Sequence, residues 1–326
     1  MFVQVEGKTL YVEEYGKQHA KTLVCFHGGP GASCMDFFNQ AKALGERYHV
    51  VAFDQYGVLR SDAIARGETW GVMDHVRLID GLRAALGVEQ WVVLGHSYGG
   101  MLACRYAHRY PARTLGVLYE CPTWNVRRSS TTTAAAVLLF FEQQGNRDAA
   151  AICREMLDEG SADAAVMGAL MRLAPMLQGD EISRYIHALT AAEYYRHLPD
   201  IDQHSDGCQD LNRHLQELGA RGELTDEDMQ VNQYIQQKAQ THTTQLIEQG
   251  DLFDDCLPLL SQITTPSRLL VGEYDLTCGQ DQHDCFQAVY GQDQIEVFRD
   301  CGHLLRLAAP EQYTNAVIRF MEAVSK

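Results

Sequence analysis

Ser97 stands in Gly95-His96-Ser97-Tyr98-Gly99, between an apolar run, Trp91-Val92-Val93-Leu94, and a helix-like stretch, Met101 to Ala107. A serine flanked by glycines at a strand-to-helix turn reads as a nucleophile elbow. The turn is tight and its serine strained, so bulky neighbours would collide. Glycine at positions 95 and 99 removes the collision, and Gly100 lets the helix pack close to the strand.

Three further pieces suit acyl transfer. Upstream, the strand-like run Leu23-Val24-Cys25-Phe26 ends in His27-Gly28-Gly29-Pro30-Gly31. Such a loop exposes backbone N–H groups, and an oxyanion formed at Ser97 needs two of them. The expected donors are Gly29 and Tyr98, the residue after the serine. Downstream, Arg268 to Gly272 is a strand running into a loop that carries Asp275. A last strand, Ile295 to Phe298, leads to Asp300-Cys301-Gly302-His303. The order serine, acid, histidine suits a triad in which His303 takes the proton of Ser97 and Asp275 fixes its tautomer. Glu120, at the end of the run Leu115 to Tyr119, is the competing acid, and Asp275 is preferred for its Gly-Glu-Tyr-Asp turn. Asp281 and Asp284 read as surface charges on the following helix.

Short β-like runs recur up to Pro122: Thr9 to Tyr15, Thr22 to Phe26, Val50 to Phe53, Trp91 to Leu94 and Leu115 to Tyr119. Helical patterns such as Trp70 to Leu86 separate the later ones. Alternation of this kind implies a mostly parallel central sheet with helices on both faces. The first two runs have no helix between them, so that edge is expected to be antiparallel. From about Trp124 strand signals stop. Ala134–Gln144, Ala149–Glu159, Ala164–Leu177 and Asp226–Gln240 have helix-forming composition. The expected organisation is a core of residues 1–122 and 263–326 with a helical cap inserted over 123–262. The stretch Ile201 to Leu224, broken by three glycines, is the expected mobile part of that cap.

Together, His27-Gly28-Gly29-Pro30-Gly31, Asp54-Gln55, Gly95 to Gly100, Gly272-Glu273-Tyr274-Asp275 and Asp300 to His303 resemble the proline iminopeptidase family of α/β-hydrolases. The resemblance spans both ends of the chain. It implies the α/β-hydrolase fold, a Ser97–His303–Asp275 triad, no cofactor, and cleavage of small substrates from a free amino end. Two places depart from the family pattern. The loop Asp54-Gln55-Tyr56-Gly57-Val58-Leu59-Arg60-Ser61 lacks the arginine and second glycine usual after Asp-Gln. The family also holds the substrate amine with cap glutamates. Val231-Asn232-Gln233-Tyr234 offers no acid there, whereas Glu193 beside Tyr194 offers a second substrate-binding group. An esterase, lactonase, thioesterase or amidase of the same fold is therefore the alternative.

Composition narrows the partners. The net charge of −16 argues against nucleic acid and anionic membranes. No apolar stretch is long enough to span a bilayer, and Met1 to Gly7 alternates like a strand rather than a signal peptide. The ten cysteines form no Cys-x-x-Cys pair and several lie in apolar runs, which suggests reduced core thiols in a cytoplasmic setting. The thirteen histidines are scattered without metal-ligand spacing, and His204 with Cys208 reads as loop surface. Residues 123–262 hold 22 acidic against 10 basic side chains, a net of −12, and the remainder carries the other −4. Such a charge suits a solvated helical surface that keeps the protein soluble; as a field over an entrance it would favour a cationic or free-amine substrate, a small molecule or short peptide.

Overall fold

The computed structural model describes residues 1–177, 181, 182, 185 and 226–324. Glu193, Tyr194, His204, Cys208 and the Ile201 to Leu224 stretch lie outside the described residues. Eight strands form one sheet: β1 (Phe2–Val5), β2 (Lys8–Tyr15), β3 (Thr22–Phe26), β4 (His49–Phe53), β5 (Trp91–His96), β6 (Thr114–Glu120), β7 (Ser267–Gly272) and β8 (Ile295–Phe298). Their spatial order is β1-β2-β4-β3-β5-β6-β7-β8. From β4 to β8 all neighbours are parallel. The expected antiparallel edge is present, though β2 pairs with β4 and not with β3, and β1 with β2. Strands β3, β4 and β5 are buried along their whole length. That explains their unbroken apolar sequences, since a parallel strand covered on both faces has no polar side to alternate with.

The two faces can be read from β6. Successive side chains of a strand point to opposite sides. Gly116 lies against Phe320 and Glu120 bonds to Tyr313, both on the helix Pro310–Ala323. Tyr119, of opposite parity, packs edge-on against Phe286 of the helix Gln280–Tyr290. In chain order the α-helices among the described residues are α1 (Phe38–Leu44), α2 (Val72–Ala85), α3 (Tyr98–Arg109), α4 (Val126–Gln143), α5 (Arg147–Leu157), α6 (Asp163–Leu173), α7 (Asp226–Gln249), α8 (Leu257–Leu260), α9 (Gln280–Tyr290), α10 (Leu305–Ala308) and α11 (Pro310–Ala323).

The stretch expected to form a cap carries helices joined by turns, and no strand, where it is described. Helices α4 to α6 build an apolar cluster of their own, with Val137, Phe141, Cys153, Met156, Val166 and Leu173 at its centre. Helix α7 behaves differently. It runs on to Gln249, beyond the expected Gln240, and Leu246 belongs to the main core. Asp251, just after it, accepts N–H bonds from Val72 at 3.0 Å and Met73 at 3.2 Å. These are free donors of the first turn of α2, so the returning chain caps a core helix.

Helix α7 carries a buried histidine. His242 donates from Nδ1 to the Tyr56 carbonyl at 2.9 Å, and its ring lies 4.8 Å from that of His75. Burial pushes its pKa down to about 4; the Tyr56 bond pulls upward and the nearby His27 pulls further down. An unfolded histidine titrates near 6.5. The unfolded chain therefore binds this proton first as pH falls. The contribution is full above about pH 6.5 and is lost progressively down to about pH 4, on the order of 3 kcal/mol. His27, His75 and His96 are also shifted down by burial and act with the same sign. Thermal unfolding midpoints are expected to fall between pH 6.5 and 4, less steeply in His242→Asn. Equal slopes in the two proteins would show that His242 is not held neutral.

Candidate active site

Ser97 sits between β5 and α3 with φ 55° and ψ −120°, a conformation that side-chain-bearing residues rarely adopt. The surroundings hold it there. Its N–H donates to the Glu120 carbonyl at 3.0 Å, and its own carbonyl accepts from Thr123 at 2.9 Å and Gly100 at 2.8 Å. The glycines are required by contact. A Cβ on Gly95 would lie 2.2 Å from the Gly99 carbonyl oxygen, and one on Gly99 would lie 2.1 Å from that of Phe26. As the first residue of α3, Tyr98 has an N–H that the helix ladder does not use.

The acid and the histidine come from the ends of β7 and β8. The two loops are stitched together: Glu273 N–H donates to the Phe298 carbonyl and Tyr274 N–H to that of Cys301, each at 2.9 Å. Gly272 admits the Gly302 carbonyl, which would stand 2.1 Å from a Cβ. His303 then donates from Nδ1 to Asp275 Oδ1 at 2.8 Å. Asp275 Oδ1 also accepts from the Thr277 N–H, and Oδ2 from that of Cys278, each at 3.0 Å. Burial pushes the Asp275 carboxyl up, but His303 and these backbone donors outweigh it and leave its pKa below the usual value. The carboxylate is thus ionised and has no exposed side-chain surface, while the His303 side chain remains 33% exposed. With Nδ1 committed to Asp275, Nε2 is the nitrogen available to a reacting group. The His303 ring lies 4.7 Å from that of His96, the residue before Ser97.

Glu120, the competing acid, is engaged elsewhere. It is buried, accepting from Arg306 at 2.7 Å and Tyr313 at 2.8 Å. Burial raises its pKa against the pull of Arg306 and Tyr313. The expected donor loop lies against the elbow: a Cβ on Gly28 would be 3.0 Å from His96 and 3.1 Å from Ser97. Gly29 and Gly31 take φ of 112° and 92°, and among the described residues no hydrogen bond uses the Gly29 N–H. His27 anchors the loop. It donates from Nδ1 to the Gly28 carbonyl at 3.0 Å and accepts the Gln55 N–H on Nε2 at 3.1 Å. Asp281 and Asp284 are exposed on α9, as expected.

Sequence reading missed three groups here. Arg60, not position 56, is the cation of the Asp54 loop: its Nε donates to Asp54 Oδ2 at 2.7 Å. Burial raises the Asp54 carboxyl, but Arg60 and Ser33 more than reverse it. Arg306 is the buried partner of Glu120, and no local motif marks it. Cys121 has a ligand atom within 4.8 Å of those of Asp275 and His303. Burial drives its thiol pKa well up, so the sulfur is protonated, and the other two groups are already bonded to each other.

A family model described as the alpha/beta hydrolase fold matches residues 21–309. The proline iminopeptidase of Xylella fastidiosa (strain 9a5c) is 40% identical over 112 residues, which are 33% of this chain and 34% of that protein. The chain thus matches about a third of the length of that curated relative. A proline iminopeptidase-related protein from Thermus thermophilus superposes with a TM-score of 0.65 at 22% identity, covering 99% of this chain and 97% of that one. A thermophilic esterase from Thermogutta terrifontis does so with a TM-score of 0.63 at 18% identity, over 100% and 99%. At such identities the two structures speak to the fold alone.

The Glu120 pair yields a test. Removing one partner of a buried ion pair strands the other charge and costs about 3–5 kcal/mol. Glu120→Gln is expected to lower the free energy of unfolding by that order in urea titrations. A change under about 0.5 kcal/mol would mean that Arg306 finds another anion.

Proposed function

Because the chain belongs to the alpha/beta hydrolase fold family, we propose that it is a serine hydrolase cleaving a small peptide, amide or ester through an acyl-enzyme. The observation that carries the reading is the 2.8 Å bond from His303 Nδ1 to the buried Asp275, which leaves Nε2 free, beside a serine held in the strained elbow. In the proposed mechanism Nε2 takes the Ser97 proton as Oγ attacks the acyl carbon. The N–H groups of Tyr98 and Gly29 receive the oxyanion. His303 returns the proton to the leaving group, and the same groups then activate water against the acyl-enzyme. Asp275 remains ionised and stabilises the imidazolium.

The partial identity to a proline iminopeptidase supports a free-amine peptide as substrate. The acidic stretch 123–262, proposed as the cap, supports it too through its net charge of −12. The ester or amide alternative is favoured by a specific feature of α7. Residues 231–234 carry no acid, and α7 buries a cation, Lys238, whose Nζ donates to the Leu59 carbonyl at 2.8 Å. Among the described residues no helix is long and apolar enough to cross a membrane, and nine cysteines are free. Free thiols suit the cytoplasmic setting that we assign.

Two measurements test this reading. Ser97→Ala is expected to lower turnover roughly a millionfold and Asp275→Asn about ten-thousandfold, with the fold retained. More than a few per cent residual activity in Ser97→Ala would remove the serine from the mechanism. For substrate class, an aminoacyl-β-naphthylamide and its N-acetylated form are to be compared across a salt series. Screening contracts the reach of surface charge to about 8 Å at physiological ionic strength. A free-amine enzyme loses kcat/KM on the free form as salt rises and handles the acetylated form poorly. Equal cleavage of both at every salt concentration transfers the assignment to the esterase or amidase reading.

A further inference from the structure

Three of the five residues in His27-Gly28-Gly29-Pro30-Gly31 are glycine, so the loop has little stiffness of its own. Fixing a backbone residue costs conformational entropy, and a hydrogen-bond donor that wanders cannot stabilise charge at a fixed point. Something outside the loop must hold it. On the inner side, His27 and the contact of Gly28 with His96 and Ser97 hold the first two residues. Pro30 and Gly31 have a different neighbour, the middle of α7.

Gly31 faces Ala239 so closely that a Cβ on the glycine would lie 3.3 Å from both the Ala239 Cβ and its carbonyl oxygen. One helical turn on, the Thr243 hydroxyl shares its proton between the Ala239 carbonyl at 3.0 Å and the Pro30 carbonyl at 3.3 Å. Among the described residues it is the one side chain that hydrogen-bonds residues 29–31. Both Thr243 and the turn carrying it are themselves anchored. Lys238, buried, donates to the carbonyls of Leu59 and Ser61, and His242 donates to that of Tyr56. The segment 56–61 that accepts these bonds follows Gln55, whose N–H bonds His27. A closed path therefore runs from α7 through this segment to His27 and back through the loop to α7.

We propose that the Lys238–Thr243 turn of α7 fixes the outer half of the loop, making Thr243 and Ala239 positioning residues for the Gly29 N–H. Residues of the inserted stretch would then set the geometry of catalysis as well as cover the site. This rests on the serine-hydrolase reading for its catalytic consequence, though the brace itself does not.

Thr243→Val removes the hydroxyl at nearly constant volume, Thr243→Ser restores it, and Ala239→Leu wedges the helix against Gly31. Hydrogen exchange followed by mass spectrometry over peptides spanning residues 24–37 reads the brace directly. Faster exchange there in Thr243→Val and Ala239→Leu, with α3 unchanged and Thr243→Ser near wild type, is the expected result; unchanged exchange overturns the brace. Turnover of a p-nitrophenyl ester reads the consequence. Loss of an oxyanion donor costs roughly a hundred- to thousandfold, so its misplacement in Thr243→Val is expected to lower kcat about tenfold, with KM within about twofold and recovery in Thr243→Ser. Faster exchange with kcat unchanged would overturn the positioning role. Failure of the wild type to label with a fluorophosphonate would instead count against the hydrolase reading, and the exchange data would still decide the brace.

Discussion

Ser97 holds a positive φ that costs a side-chain-bearing residue about 1–3 kcal/mol, so the surrounding structure must over-determine it. Much of that support converges on Glu120. Its carbonyl takes the Ser97 N–H, while its carboxylate is tied to Arg306 and Tyr313. Arg306 in turn lies over the Phe37 ring and donates to the Asp36 carbonyl at 2.7 Å. The elbow is thereby linked through one buried carboxylate to the C-terminal helices and to the segment preceding α1. The Glu120 backbone carbonyl holds the serine, and its carboxylate faces Arg306 and Tyr313.

Hydrogen-bond donors also separate the two acids. Asp275 follows β7, Glu120 ends β6, and both are buried. What distinguishes them is the donor set. Asp275 meets two backbone N–H groups and an imidazole, which leave it ionised with its histidine partly open to solvent. Glu120 meets a guanidinium and a phenol, both buried. Its contact with a histidine, His96 at 3.6 Å, involves a ring whose pKa burial drives well below its usual value.

These differences mark how far the sequence can be read. Ser97, Asp275 and His303 are legible because each sits in a short local pattern at a strand end, where the backbone alone dictates direction. The strand order β2-β4 is not, because an antiparallel edge says nothing about which neighbour it takes. Arg60 is hidden by the expectation of a cation at position 56; the loop reaches Asp54 from four residues further on. The composition of α7 suggests an end near Gln240. The residues beyond it include His242 and Thr243, polar side chains that no local pattern marks as buried. Their burial, like that of Lys238, is licensed by the carbonyls of residues 30, 56, 59 and 61, partners that no helical periodicity can reveal.

The described helices α4 to α7 accordingly divide by what their side chains can bury. Helices α4 to α6 satisfy their apolar faces mainly against one another, and they touch the main core through few residues, Val126 and Met167 among them. Helix α7 is poor in apolar residues, so it gains little from such clustering. It instead directs polar side chains at backbone carbonyls of the core, each bond worth about 1 kcal/mol net but directional. Hydrophobic contact tolerates sliding, whereas hydrogen bonds fix register. An element required to hold a glycine-rich loop in place is better served by the second kind of contact, and that is the kind α7 makes.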